Sequence, residues 1–499
     1  MLFKGCSTLT RDPFGPSTYR VFETEDFRRR RLTRRRVLQA GLSSLSFACS
    51  SPPEVKVPEG PPPADEFLLR GGYVVTMDDE LGDLPRGDVY IRQGVVIAVG
   101  SDIQAPDARV IDTSQSIVLP GFIDTHTHLW LTQMRGMFGG SRATRYFPLV
   151  KKLAPLFQPE DMLVGTLLGA AECLSAGITT VCAFCDNVRA PEYALAALEG
   201  LNEAGIRGRF LYGPHDDLPV AQPIDLRHVQ QLQEGWARYA NGGLLDLGIG
   251  WRAPKDEHDY TSRERARREY QIAKAAGLPI AVHASGDAAQ AQLRFLIEEE
   301  VAGPQLQVVH ATGATPEQLQ RLNQAKISVA LTPVTEHRVG YGLTTVSEYD
   351  RQLKHLSLGC DGNALAGSAD MFTVMRLLHG VQTGASKDEL SVSPRRILQL
   401  ATIGGARALG LERHLGSIVP GKQADLLVLD TQRLNMAWNR QDDPSSLIVY
   451  SARPDNLTSV FVKGRPVVEK GQLAGLDSGK LIERAQASIW GIRQRAAGA

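Results

Sequence analysis

Eight short apolar segments, each followed by a stretch with helical spacing of its apolar residues, occupy residues 121–415. This alternation is typical of parallel strands whose connections are helices. Eight such units favour a closed (β/α)₈ TIM barrel, in the α/β class. An open doubly wound sheet is the alternative, but no glycine-rich phosphate loop follows an early strand. The expected strands are residues 121–125, 178–183, 208–212, 245–251, 278–283, 306–310, 327–331 and 356–360.

Proline and capping residues indicate where several helices begin. Pro159 and Pro191 stand where a first helical residue would be, and the sequence Thr-Pro-Glu-Gln from Thr315 to Gln318 is a capping box. Ser262 is expected to open the helix that follows the fourth strand. These signals place helices between the expected strands, as a barrel requires.

Strands of another kind flank the barrel region. Residues 66–120 and 416–475 contain short alternating runs separated by turns, the pattern of antiparallel strands. We expect the two segments to pair into a small β-sandwich beside the barrel. Residues 476–499 are expected to form a C-terminal helix or tail.

The first 49 residues resemble an export signal. The arginines at 34–36 provide a twin-arginine pair, and the apolar residues 40–48 are too few to span a bilayer. Cys49 closes a segment similar to a lipoprotein cleavage box and would then carry a lipid anchor. We expect export by the twin-arginine route to the periplasm, either free or membrane-anchored; the alternative is a basic tail on a cytoplasmic protein. Residues 50–65, rich in proline, are expected to form a stiff linker.

The charge distribution bears on the class of partner. Lysine plus arginine equals aspartate plus glutamate at 55 each, but basic residues are concentrated in the first 36 positions. The remaining chain is mildly acidic and does not suit nucleic acid. Six cysteines in 499 residues exclude a disulfide-stapled scaffold. A small-molecule substrate is the expected partner, and the oligomeric state is left open, a homodimer being one option.

Histidines and an aspartate at strand ends are the candidate functional residues. His126 and His128 lie two residues apart on an extended segment, so their imidazoles share a face. His283, His310 and Asp361 end the fifth, sixth and eighth expected strands. Because the carboxyl ends of all barrel strands meet at one face, the five side chains should converge there. Buried polar side chains need partners, and a bound metal ion is the partner that this set predicts.

Two motifs, together with these strand-end residues, resemble the metal-dependent amidohydrolase superfamily. One is Leu-Pro-Gly-Phe-Ile-Asp-Thr-His-Thr-His, from Leu119 to His128; the other, from Leu415 to Asp430, contains Val-Pro-Gly-Lys-Gln-Ala-Asp. The resemblance extends from about Phe67 to the C-terminus. It is closest to the branch of cytosine deaminase-like and chlorohydrolase-like enzymes.

The resemblance implies one divalent metal held by His126, His128, His283 and Asp361, with Zn²⁺ preferred and Fe²⁺ as the alternative. His310 would orient the attacking water and stabilise charge on the addition intermediate. Asp361 would also act as general base and then as general acid. The implied activity is hydrolysis of a non-peptide C–N bond in an amide, cyclic amide or amidine.

One departure from the family pattern concerns the substrate. Many relatives in the deaminase branch have a glutamate three residues after the fifth-strand histidine, where it protonates a ring nitrogen; here that position is Gly286. The absence of this acid disfavours deamination or dechlorination of a nitrogen heterocycle, which is therefore the alternative activity. Asp287 or Glu336 could replace the missing acid. We hypothesise that Glu336 either contacts substrate or supports another site residue, against the alternative of a solvated loop charge.

A second departure concerns the number of metal ions. Binuclear relatives have a bridging carboxylated lysine at the end of strand four, whereas Lys255 lies several residues beyond that end. One metal is therefore expected.

For several other residues, a structural explanation is as good as a functional one. His215 and His337 follow strands and could touch substrate or bond locally. Cys182 and Cys185, three apart on a strand, face opposite sides, which disfavours a thiol site. Aromatic residues near strand exits could line a pocket for a flat substrate or pack the barrel; they are Trp130, Tyr146, Phe147, Tyr212 and Trp251.

A rival from another functional class is a catalytically inactive, exported, metal-containing binding protein. The complete ligand set disfavours this rival.

Overall fold

The structure, a computed structural model, describes residues 66–299, 301 and 303–498. The export signal, Cys49 and the linker at 50–65 lie outside the described residues and stay predictions. Within the described part of the chain, no helix has both the length and the apolarity needed to cross a membrane.

Five strands precede the barrel. β1 pairs antiparallel with β2 and parallel with β4 and β5, and β2 pairs antiparallel with β3. The turn between β2 and β3 consists of Gln93 and Gly94, both with positive φ (51° and 79°), as a two-residue turn between twisted strands requires. The strands are β1 (Glu66–Val74), β2 (Leu84–Arg92), β3 (Val95–Gly100), β4 (Arg109–Asp112) and β5 (Ser116–Pro120).

The next eight strands are parallel, and each pairs with its successor in the chain. They are β6 (Phe122–Thr127), β7 (Ile178–Val188), β8 (Arg207–Pro214), β9 (Leu245–Trp251), β10 (Ile280–His283), β11 (Leu306–Val309), β12 (Ser328–Leu331) and β13 (Leu356–Leu358). The segment after β13 returns to β6: the Asp361 N–H donates to the His126 carbonyl, and the His128 N–H donates to the Asp361 carbonyl, both at 2.9 Å. The predicted barrel is confirmed, and its closing hydrogen bonds join predicted site residues.

The helices connect the strands and cover the barrel. Within the described residues they are α1 (Tyr146–Leu153), α2 (Pro159–Ser175), α3 (Pro191–Ala204), α4 (Leu226–Glu234), α5 (Tyr260–Ala275), α6 (Ala289–Glu298), α7 (Pro316–Gln324), α8 (Pro333–Val339), α9 (Ser347–Gln352), α10 (Asn363–Ala366), α11 (Met371–Ser386), α12 (Pro394–Leu400), α13 (Ile403–Leu409), α14 (Ser445–Tyr450) and α15 (Ser478–Gly498).

The helix starts follow the sequence signals with one exception. α2 and α3 begin at the prolines, and α7 has the capping box at Thr315. The expected start of α5 at Ser262 is wrong, because the helix begins at Tyr260. The Asp259 carboxylate accepts the Ser262 N–H at 3.0 Å and is the cap, so Ser262 lies inside the first turn.

Four strands after the barrel complete the flanking sheet; they are β14 (Leu426–Asp430), β15 (Leu457–Val462), β16 (Arg465–Glu469) and β17 (Gln472–Leu473). β14 pairs antiparallel with β5, so the N- and C-terminal segments form one sheet. The sheet folds back on itself: the Val96 N–H donates to the Lys422 carbonyl at 2.8 Å, and the Gly421 N–H donates to the Val96 carbonyl at 2.8 Å. The fold encloses a separate apolar core, in which Phe67 and Phe461 are buried.

A buried ion pair joins the barrel to this sheet. Arg207, the first residue of β8, donates to both carboxylate oxygens of Asp425, at 2.8 and 2.9 Å. Both side chains are almost fully buried. Asp425 also accepts the Lys463 N–H at 2.8 Å, so one carboxylate holds the amino end of the barrel and two segments of the sheet.

Candidate metal centre at the carboxyl end of the barrel

The five residues predicted from the strand ends lie together at one end of the barrel. The Nε2 atoms of His126 and His283 are 3.2 Å apart, and Asp361 Oδ1 is 3.4 Å from the Nε2 atoms of both His126 and His128. The His310 ring lies beside His126 and His283, with centroids 5.8 and 5.7 Å away. β6, β10, β11 and the segment after β13 therefore supply the cluster.

The donor set suits a divalent cation. His126 Nε2 lies within reach of both a ring nitrogen and a carboxylate oxygen, yet it can carry only one proton. Burial lowers the pKa of His126 to about 4 and that of His283 well below its ordinary value, which keeps both rings neutral. The ring nitrogens of these two neutral histidines are then acceptors, and they lie in one cluster with His128 Nε2 and the Asp361 carboxylate oxygen. These are the ligands that Zn²⁺ and Fe²⁺ prefer.

Asp186, near the end of β7, fixes the orientation of His128. Its Oδ1 lies 2.9 Å from His128 Nδ1 and accepts a hydrogen bond of 2.6 Å from the indole N–H of Trp130. Burial disfavours charge on His128, but the Asp186 carboxylate outweighs burial and raises the pKa of His128 to about 9. The second ring nitrogen, Nε2, is thereby directed toward Asp361.

Glu336 contacts Nδ1 of His310, as Asp186 contacts Nδ1 of His128. Its Oε1 lies 3.0 Å from His310 Nδ1 and accepts the Thr332 N–H at 2.9 Å, while its Oε2 accepts from the Thr344 hydroxyl. Glu336 is buried in the first turn of α8. Because Nδ1 is engaged, Nε2 is the His310 nitrogen that faces the cluster.

The backbone is strained at two of the site residues. His310 and Asp361 have φ of 71° and 62°, in the left-handed region that residues other than glycine seldom adopt. Backbone hydrogen bonds hold both residues in place. The His310 N–H donates to the Ala330 carbonyl at 2.8 Å, and the Asp361 N–H donates to the His126 carbonyl at 2.9 Å. Such strain of roughly 1–3 kcal/mol per residue persists only where the surroundings impose it.

Asp124 lies on β6, two residues before His126, and its side chain is fully buried. Its Oδ1 accepts the N–H groups of His126 and Cys360, both at 3.1 Å, so it ties β6 to the segment that carries Asp361. Burial raises the pKa of Asp124 to about 7.

Other candidates lie apart from the cluster. Lys255 is exposed, four residues beyond β9, and the described residues that could hold a metal do not include it. His215 bonds locally to Asp217 at 2.7 Å, and His337 Nε2 accepts the Thr344 N–H at 2.9 Å. Asp287 is exposed.

Four further residues near the cluster were not singled out from the sequence: Asp124, Asp186, Asp216 and Tyr341. Spacing does not indicate Asp124, because β6 has a register shift between Asp124 and Thr127 that breaks the period of two. Asp186 was missed because the strand was expected to end at residue 183, whereas β7 continues to Val188.

Two of the predicted aromatic residues, Trp130 and Tyr146, lie near the cluster. Trp130 bonds to Asp186, and burial together with the carboxylates of Asp361, Asp186 and Asp216 raises the pKa of Tyr146 well above its usual value. By contrast, Tyr212 and Trp251 pack against His228 and Tyr270, away from the cluster.

Comparison with known proteins agrees with this geometry. The amidohydrolase family profile matches residues 117–467, more than half of the chain. This chain belongs to the amidohydrolase family. It is therefore a metal-dependent hydrolase of carbon–nitrogen bonds other than peptide bonds, as the sequence predicted.

The amidohydrolase matches extend over nearly the whole of each relative. A 5'-deoxyadenosine deaminase of Methanosarcina acetivorans is 27% identical over 453 residues, which cover 86% of this chain and 99% of that protein. A 5-methylthioadenosine/S-adenosylhomocysteine deaminase of Pyrococcus furiosus is 27% identical over 437 residues, covering 84% and 99%. The crystal structure of an adenosine deaminase from Xanthomonas campestris with bound zinc superposes with a TM-score of 0.75 at 24% identity, covering 86% and 98%, and supports the fold.

Proposed function

We propose that this amidohydrolase removes the amino group of a nitrogen heterocycle of the adenosine type. The observation that carries the proposal is a pair of potential metal-binding groups that share His126: one with His283 and His310, the other with His128 and Asp361. The two full-length relatives named as deaminases of adenosine-type nucleosides support the substrate class. The half-buried rings of Tyr146 and Tyr341 near the cluster are flat apolar surfaces suited to such a ring.

His126, His128, His283 and Asp361 would hold the metal, which we propose to be a single Zn²⁺, with Fe²⁺ as the alternative. A divalent cation at this point supplies Lewis acidity, which lowers the pKa of water and polarises the attacked carbon–nitrogen bond. Asp186 keeps His128 in the orientation that binding requires.

Asp361 would move the protons of the reaction. It takes one proton from the attacking water and delivers it to the leaving amino group, which departs as ammonia. The water oxygen becomes the carbonyl oxygen of the product, and the second proton of the water ends on the adjacent ring nitrogen. His310, held by Glu336, would orient the water and stabilise the negative charge that develops on the added oxygen.

A second candidate function is hydrolysis of a linear or cyclic amide. The observation that favours it is Gly286, because no acidic side chain follows His283 at the position where many deaminases have one. An amide or a saturated cyclic amide has no aromatic ring nitrogen to protonate. The two candidates differ in product. Deamination releases ammonia from a heterocycle, whereas hydrolysis of a cyclic amide opens the ring without releasing it and hydrolysis of a substituted linear amide releases an amine.

The test is a metal-analysed preparation of the protein assayed against both substrate classes. Adenosine, 5'-deoxyadenosine and 5-methylthioadenosine should release ammonia, and a hydantoin and a dihydropyrimidine should remain intact. Removal of metal with a chelator should abolish turnover, and Zn²⁺ should restore it. Ring opening without ammonia release would instead establish the second candidate.

Asp361→Asn should reduce kcat/KM by about 10²–10⁴-fold, because an amide cannot accept the proton of the water. Ammonia release measures the effect. The matched control is Asp370→Asn, a change of the half-buried N-terminal cap of α11, which should lower thermal stability slightly and leave activity unchanged. Full activity of Asp361→Asn would contradict the proposed role.

We also infer that the chain is exported by the twin-arginine route and anchored through Cys49. The support is the sequence of residues 1–49 alone. Replacing Arg34 and Arg35 by lysine should retain the protein in the cytoplasm, and Cys49→Ser should shift it from the membrane to the soluble periplasmic fraction. Unchanged fractionation of both variants would contradict this inference.

A further inference from the structure

The wall of the site next to β10 lacks a side chain at Gly286, and the ring of Tyr341 lies against that gap. Gly286 has a φ of +57°, and a Cβ placed there would come within 3.0 Å of Tyr341 Cε1 and 3.7 Å of its Cζ. The backbone of Tyr341 is anchored, because its N–H donates to the Glu336 carbonyl at 2.9 Å. The tyrosine ring thus fills the space that a side chain at position 286 would enter.

The ring of Tyr341 also faces the reacting centre. It packs edge-on against His310, with centroids 5.8 Å apart, and its hydroxyl lies near the side chain of Ser285. Burial raises the pKa of Tyr341, and the nearby carboxylates of Asp361, Glu336 and Asp287 raise it further. The phenol therefore stays protonated and can donate a hydrogen bond.

The two acids that the sequence suggested for this place do not fit it. Both oxygens of Glu336 are occupied behind His310, by Thr332 and Thr344 among others. Asp287 is exposed in the short turn after β10. Tyr341 is a half-buried hydroxyl donor on this side of the site.

We propose that the Tyr341 hydroxyl donates a hydrogen bond to the substrate ring nitrogen adjacent to the attacked carbon. This inference rests on the proposed deaminase function. The hydrogen bond withdraws electron density from the ring and favours addition of water at the neighbouring carbon. Both protons that the products gain come from the water. Once the ring nitrogen has gained its proton, its N–H donates to the Tyr341 oxygen, and the phenol ends the reaction protonated.

The first arm of the test compares Tyr341→Phe with the unaltered enzyme. Phenylalanine keeps the ring against Gly286, so the fold and metal content should be unchanged. We expect kcat/KM for ammonia release to fall about 10- to 100-fold, the effect of removing a hydrogen bond to a site where charge develops. The matched control is Tyr193→Phe on α3, whose hydroxyl donates to the Phe157 carbonyl at 2.9 Å away from the cluster, and it should retain full activity.

The second arm asks which substrate atom the hydroxyl contacts. The probes are two competitive inhibitors, a purine nucleoside without the amino group and its 1-deaza analogue, in which carbon replaces the ring nitrogen. The unaltered enzyme should bind the purine about tenfold more tightly than the analogue, and Tyr341→Phe should bind the two equally. A purely structural role for the hydroxyl would lower both affinities alike and leave the ratio unchanged.

The outcomes separate the inference from the function on which it rests. If the unaltered enzyme releases ammonia and Tyr341→Phe matches the Tyr193→Phe control, the inference is overturned and the deaminase function stands. An unchanged inhibitor ratio in Tyr341→Phe also overturns the inference. If the unaltered, metal-loaded enzyme releases no ammonia from any adenosine-type nucleoside, the proposed function fails and the inference fails with it.

Discussion

At the scale of single residues, the site depends on carboxylates that hold imidazoles in place. Asp186 bonds to Nδ1 of His128 and Glu336 bonds to Nδ1 of His310, so in both rings Nε2 faces the centre. Such partners fix the tautomer and the direction of a histidine that binds a metal or a substrate.

Glu336→Gln should therefore impair activity while the metal stays bound. The amide still accepts from Thr332, but it cannot hold the His310 N–H with the strength of a carboxylate. We expect kcat to fall about 10- to 100-fold, with metal content per chain unchanged. Glu317→Gln, on the exposed first turn of α7, is the matched control. If Glu336→Gln turned over substrate like this control, Glu336 would have no role in the site.

Residue spacing predicted some of the residues of the candidate site. The period of two along an extended segment predicted that His126 and His128 share a face. The rule does not extend to Asp124, because a register shift follows Asp124 in β6. Asp186 and Tyr341 could not be predicted, because each reaches the centre from a segment whose path depends on how far β7 extends or how the loop after α8 folds.

At the scale of elements, α2 supports the site by packing closely against the helical turn that carries Trp130. Gly165 of α2 lies against the short helical turn Leu129–Met134, and a Cβ at this position would overlap the Trp130 carbonyl and the Gln133 side chain. The same turn carries the Trp130 indole that bonds to Asp186. A glycine is needed here for close approach of two backbones.

Gly165→Ala should consequently destabilise the protein and disturb the site. Overpacking typically costs about 1–3 kcal/mol, and the free energy of unfolding in urea measures it. We also expect weaker metal binding, since a displaced Trp130 releases Asp186 and His128. The control is Gly380→Ala in α11, where no atom lies near the added methyl; it should raise stability by up to about 1 kcal/mol. Equal stability of the two variants would refute this account.

At the scale of the whole molecule, the barrel and the flanking sheet share a buried ion pair. Arg207 and Asp425 lie at the amino end of β8, opposite the site, and both are almost fully buried. Removing one member of a buried pair leaves an uncompensated charge. Residues at this end of a barrel contribute to stability rather than to catalysis.

Arg207→Met should lower the free energy of unfolding by about 3–5 kcal/mol. The matched control is Arg109→Met, which breaks the exposed pair with Glu469 and should cost about 0–1 kcal/mol. Both variants should keep their kcat at 25 °C, because neither residue touches the site. A loss of activity in Arg207→Met without loss of stability would contradict this assignment.

The sequence alone determined the order of strands and helices, the pairing of the terminal segments and the five residues of the candidate centre. These follow from local periodicity and from one topological rule, that the carboxyl ends of barrel strands meet. The tertiary structure decided which acids support which histidines and that Tyr341 covers Gly286. Those contacts join residues far apart in the chain through loops, and loop paths depend on packing against the rest of the fold rather than on local sequence preferences.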